Sequence, residues 1–179
     1  MKNSLFYIFV ISLLVLSSCK KDEAPATSGT ATIDNTTTLG QTYYVYGFLF
    51  SEARKVATLN DPVDVLTISP EVNVNNEIVR ITFNVNTFKE CFFLYGEYQD
   101  AASASSAFAS LTSFSNPLWI DPPVEVKEKQ IWLFRNSQNK YAKIRVVKTV
   151  KEKRNNVPYA ECTFQWEYQP DGTLTFPGK

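Results

Sequence analysis

The chain has 179 residues, 44% of them hydrophobic and 14% aromatic, which is enough apolar material for one domain with its own core. Lys plus Arg and Asp plus Glu both total 18, so no strong field of either sign points to nucleic acid or another polyanion as a partner. There is no histidine, and the only methionine is Met1, which excludes His-dependent triads, His-ligated zinc and imidazole ligation of haem.

Lys2 precedes an uncharged run, residues 4–18, rich in Leu, Ile, Val and Phe. That run is short for a membrane span and suits the hydrophobic region of a signal peptide. It ends in Leu16-Ser17-Ser18-Cys19, which resembles a lipobox, so residues 1–18 are expected to be removed and Cys19 to be acylated. Each buried methylene of an acyl chain contributes about 0.8 kcal/mol, so several chains would hold the protein on a membrane. Lys20-Lys21-Asp22-Glu23 then resembles the acidic export signal of Bacteroidetes surface lipoproteins, and also reads as a plain solvated tether. From Ala24 to about Thr38 the chain has almost no large apolar residue. Residues 19–38 are therefore read as a lipidated Cys with a flexible linker, and residues 39–179 as the folded domain.

Residues 41–50, QTYYVYGFLF, are β-branched and aromatic almost throughout, as in a central strand covered on both faces, with Gly47 marking a bulge or a close backbone approach. Asn60-Asp61-Pro62 reads as a turn, and residues 63–69 as a short strand ended by Pro70. Residues 77–85 alternate Val79, Ile81, Phe83 and Val85 against Ile78, Arg80, Thr82 and Asn84, a half-buried strand entered through an Asn75-Asn76 hairpin turn. Residues 88–98 fit either strand or helix, and their aromatic density with Gly96 favours strand. Ala104, Ala107, Phe108, Leu111 and Phe114 recur at helical spacing, predicting one helix over 101–114, capped by Asp100 and stopped before Asn116-Pro117. A proline-bearing loop, 116–126, leads into three aromatic and β-branched segments at 130–135, 141–150 and 159–169, punctuated at 136–140 and 151–158. Within the third, Cys162, Phe164, Trp166 and Tyr168 face one way and Glu161, Thr163, Gln165 and Glu167 the other. A last short segment, 173–176, follows the turn Pro170-Asp171-Gly172. The fold class is thus mainly β, an antiparallel single domain with one short helix.

Trp132-Leu133-Phe134-Arg135, Lys140-Tyr141-Ala142-Lys143-Ile144-Arg145 and Phe164-Gln165-Trp166-Glu167-Tyr168-Gln169-Pro170-Asp171-Gly172 resemble the C-terminal half of HmuY-family lipoproteins of Bacteroidetes, whose founding members bind haem. The resemblance covers a little under a third of the chain. It implies an antiparallel β fold at the outer membrane, lipid-anchored on the cell surface, with haem as a candidate cofactor and an outer-membrane receptor as a candidate partner. Family members ligate iron with His or Met from the half before this segment, and this chain offers neither there. Tyr can ligate haem iron, which makes Tyr43, Tyr44, Tyr46, Tyr95 and Tyr98 the ligand-binding candidates, each with a packing role as the plainer alternative. A flat tetrapyrrole held by stacking without an iron bond, and a non-haem interaction or glycan-binding role on the same scaffold, are the other readings.

Cys91 and Cys162 remain once Cys19 is acylated, and they read as a disulfide or as two buried thiols. The basic run Lys140, Lys143, Arg145, Lys148, Lys151, Lys153 and Arg154 reads as a charged outer face that protects a sheet, or as an anion contact beside Tyr141. Asp61, Asp64, Glu71 and Glu77 have no spacing that demands acid–base chemistry, and no glycine-rich phosphate loop is present. The sequence reads as a binding protein and not an enzyme.

Overall fold

The computed structural model describes residues 24–36, 45–58, 64–85, 89–115, 117–121 and 124–177. The predicted lipidation site Cys19, the signal peptide, the turn at 60–62 and the candidates Tyr43 and Tyr44 lie outside the described residues. The described elements run β1 (Ser28–Asp34), β2 (Tyr46–Leu49), a 3-10 turn (Phe50–Glu52), β3 (Arg54–Ala57), β4 (Leu66–Val72), β5 (Ile78–Val85) and β6 (Phe92–Glu97). They continue with α1 (Ala101–Ser110), β7 (Gln130–Arg135), β8 (Tyr141–Arg154) and β9 (Val157–Gln169). Among the described residues the fold is mainly β with one short α-helix, as the sequence pattern predicts. Two antiparallel sheets form, one ordered β1-β9-β8-β7-β6 and the other β3-β2-β4-β5. No helix among the described residues is long and apolar enough to cross a membrane.

Side-chain alternation builds the space between the sheets. Cys162, Phe164, Trp166 and Tyr168 of β9 are all buried, while the intervening Glu161, Thr163, Gln165 and Glu167 are half-buried. Phe48 of the facing sheet meets Phe164 at 5.7 Å and Trp166 at 5.2 Å between ring centroids. Phe50 stacks on Tyr168 at 6.2 Å, and Phe83 sets its edge on Trp132 at 5.6 Å. Burying each such ring contributes on the order of 2–3 kcal/mol, so this aromatic layer is the main hydrophobic store of the fold. Gly47 is required by close approach: a Cβ there would lie 2.3 Å from Val65 and 2.5 Å from the Leu66 carbonyl oxygen.

Several boundaries differ from the sequence expectation, each for a local reason. The stretch read as linker contains β1, which pairs with β9 in register from Ser28↔Glu167 to Asp34↔Glu161. An edge strand needs main-chain donors and acceptors more than apolar side chains, and Ile33, fully buried, supplies the one large anchor. The folded unit therefore begins before residue 39. Residues 151–158 are not a loop: β8 and β9 stay paired to Arg154↔Val157 because Asn155 and Asn156 both adopt positive φ, 50° and 66°, and close a two-residue turn. Asn76, at φ 57°, helps close the β4–β5 hairpin as expected. Strand β4 passes through Pro70 to Val72. Among the described residues its pairing with β2 is Phe48↔Leu66, while on its other side it stays in register with β5 through Pro70↔Ile81. Helix α1 begins at the Asp100 cap, whose carboxylate accepts the Ser103 N–H at 2.7 Å, but stops at Ser110. Residues 112–114 instead lie beside the C-terminal tail, with Phe114 N–H on the Leu174 carbonyl at 3.1 Å and Phe176 N–H on that of Thr112 at 2.7 Å.

Candidate functional site

The second face of the five-stranded sheet is covered differently. Strand β7 is buried on both sides: Trp132 and Phe134 enter the layer between the sheets, while Ile131 and Leu133 pack with Phe108, Leu111, Trp119, Tyr141 and Phe176 under α1 and the tail. Among these apolar groups sits Lys143, only 3% exposed at its side chain. Its ammonium donates to the carbonyls of Phe108 at 3.0 Å and Leu111 at 2.9 Å, and lies 2.9 Å from Glu167 Oε2. It also stands over the rings of Phe108 at 4.7 Å and Phe176 at 5.3 Å. The last turn of a helix leaves carbonyls unsatisfied and carries partial negative charge, so this lysine caps α1 from below. Lys143 is thus not part of a charged outer face. The rest of the basic run does lie outward: Lys151 pairs with Glu125, Lys153 reaches the Asn75 carbonyl at 2.8 Å, and Arg154 covers the Tyr159 ring.

Beside this cap a cleft opens along β6. Phe92 and Ile120 exchange both backbone hydrogen bonds, at 3.1 and 2.9 Å, after which the two segments diverge. The gap has a volume of about 500 Å³, within the range of small-molecule sites. Phe93, Tyr95 and Leu133 form its floor, and Ser113, Phe114, Ser115, Pro117 and Leu118 its wall. Leu118 is 82% and Tyr95 43% exposed, so apolar surface faces solvent at the rim. The pairing of β6 with β7 slips between Leu94 and Gly96, a bulge of the kind that re-aims a side chain, here Tyr95.

Of the tyrosine candidates, the fold brings Tyr95 and Tyr98 to one edge and leaves Tyr46 elsewhere. Tyr46 sits on β2 in the other sheet, opposite Ala57. Tyr98 folds back over Gly96, where a Cβ would lie 3.0 Å from its hydroxyl oxygen, and burial first, then the neighbouring Tyr95, push its phenol pKa up. The wall residues Phe114, Pro117 and Leu118 were not legible as site residues. Phe114 carries a helical signal and the prolines a loop signal, and only the tail pairing places them against β6.

The two cysteines are buried thiols and form no disulfide with each other. Cys91 immediately precedes β6 and Cys162 lies on β9, three strand spacings apart in the sheet order. That is about 14 Å, twice the Cα separation a disulfide can span. Burial, then the charge of Asp121, pushes Cys91 up to about 12, and burial raises Cys162 as well. The carboxylates are also committed: Asp64 accepts from Ser137 Oγ at 2.7 Å, Glu71 pairs with Arg80, and Glu77 accepts from Asn73 Nδ2 at 2.8 Å. Asp61 lies outside the described residues. Among the described residues no group of three or more acidic or Cys side chains is placed to hold a metal ion. No protein-family model and no curated protein matches the chain.

Proposed function

We propose that the protein is a non-catalytic binding protein of the bacterial outer surface, anchored through a lipid on Cys19, and that the cleft beside β6 takes a flat, largely apolar ring ligand. The observation that carries the reading is the combination of aromatic floor, apolar exposed rim and definite volume in one gap. Stacking on Tyr95 and Phe93 with the rim closing over a ring would bury apolar area at roughly 25 cal/mol per Å², enough for a small ligand without any covalent step. The resemblance of the 130–172 segment to HmuY-family lipoproteins makes a tetrapyrrole the first class to test, with delivery to an outer-membrane receptor as its purpose. Ser113 and Ser115 on the wall favour a second reading, a glycan whose sugar face stacks on the aromatic floor while its hydroxyls meet the serines.

The test is a titration of the full chain in detergent with ferric haem and with metal-free protoporphyrin, followed by absorbance, beside a glycan array. Saturable binding of a tetrapyrrole that Leu118→Asp weakens by at least about tenfold, or 1.4 kcal/mol, supports the site. Leu118 is mostly exposed, so this change leaves the fold intact, and circular dichroism checks that it does. Glycan binding with no response to either tetrapyrrole would transfer the site to the second reading, and silence in both assays would remove the cleft as a ligand site.

A further inference from the structure

Resting on that reading of the cleft, we infer that the ring ligand is held without any bond from the protein to a metal, so that metal-free and metal-loaded forms of one macrocycle bind alike. The argument follows the donors one by one. The chain has no histidine, and its only methionine is Met1. Lys143, the buried amine under α1, already has two carbonyls and a carboxylate as partners for its N–H groups. Releasing it would strip the cap from α1. Cys91 and Cys162 ligate only as thiolates, and both lie buried away from the cleft lining.

Tyrosine remains. A tyrosinate ligand to ferric iron needs a cation or strong donors beside it to favour the charged oxygen. Among the described residues the cleft is lined by Phe, Tyr, Ser, Pro and Leu, with no Lys or Arg. Tyr95 offers the cleft its ring face and its hydroxyl. Tyr98 is turned onto Gly96. What the described lining presents to a ligand is shape, aromatic faces and two serine hydroxyls, none of which distinguishes an occupied from an empty macrocycle centre.

The same full-length chain tests this by affinity and spectrum together. Ferric haem and metal-free protoporphyrin are expected to bind within about threefold of one another, a difference of roughly 0.6 kcal/mol. The ferric complex is expected to lack a tyrosinate-to-iron charge-transfer band, and Tyr95→Phe to change the affinities for haem and for protoporphyrin by the same factor. Ferric haem binding more than about tenfold tighter, with such a band that disappears in Tyr95→Phe, Tyr43→Phe or Tyr44→Phe, overturns the inference while leaving the ring-binding cleft in place. Failure of both macrocycles to bind overturns the functional reading and this inference with it.

Discussion

The two faces of the five-stranded sheet are sealed by opposite means. Toward the second sheet, β7, β8 and β9 present Trp132, Phe134, Ile144, Phe164 and Trp166, and the opposing sheet with its 3-10 turn answers with Phe48, Phe50 and Phe83. This face is closed mainly by buried aromatic area. Toward α1 the apolar patch is smaller, and its closure depends on one ammonium group that ties the helix end to the sheet through Glu167. Where that cap stops, at the edge strand β6, the cleft begins. A sealed aromatic layer tolerates no ligand, because its volume is already filled at crystal-like density. A face covered by a short helix and a tail leaves margins, and a margin is where a binding site can form.

The sharpest way to break the comparison is to damage the sealed face. Trp132 is fully buried, and Trp132→Ala is expected to cost about 4 kcal/mol in denaturant unfolding, in one cooperative transition, because ring and cavity are both lost. A loss below about 1 kcal/mol would mean that the layer is not packed as described.

On the capped face, Lys143→Met is expected to cost about 3 kcal/mol by stranding Glu167 and two helix carbonyls, with hydrogen exchange of α1 amides rising more than that of β9. The double change Lys143→Met with Glu167→Leu should recover part of the loss, since two apolar groups need no partner. Uniform destabilisation with no recovery would show that Lys143 does not act as a latch.

Strand β1 tests the edge between the two modes. Ile33→Ala is expected to cost about 2 kcal/mol, because one buried side chain anchors an otherwise polar strand. An unchanged midpoint would return residues 28–34 to the tether.

The smallest effect belongs to the far end of the helix. Hydrogen bonds from the Ser103 backbone and hydroxyl hold the Asp100 carboxyl below its ordinary value of 3.8. A folded pKa below the unfolded one means stability that is present above 3.8 and lost as pH falls from there through the lowered value. Asp100→Asn should flatten that part of the acid unfolding profile without altering stability near neutrality much, since Asn also caps. An unchanged acid limb would remove the capping carboxylate from the account.

How much was legible depended on whether a residue's role was local. The alternation of Cys162, Phe164, Trp166 and Tyr168 fixes which side of β9 is inside, since one-residue slippage would reverse every side chain, and the structure buries that set. Asp100 announces α1 for an equally local reason, its side chain bonding three residues on. Lys143 was not legible, because an amine in a basic run of a strand reads as solvent-facing until a helix end is laid over it. Strand β1 was missed because pairing along an edge uses backbone groups that every residue carries. The sequence by itself determined a mainly β chain with one helix, no histidine, and the composition of the layer between the sheets. Only the tertiary structure decided that Cys91 and Cys162 are strands apart, that Lys143 lies inside, and that Tyr95 meets Phe114 and Leu118 across a gap. These are relations between segments distant in the chain, and no local pattern encodes the distance between them.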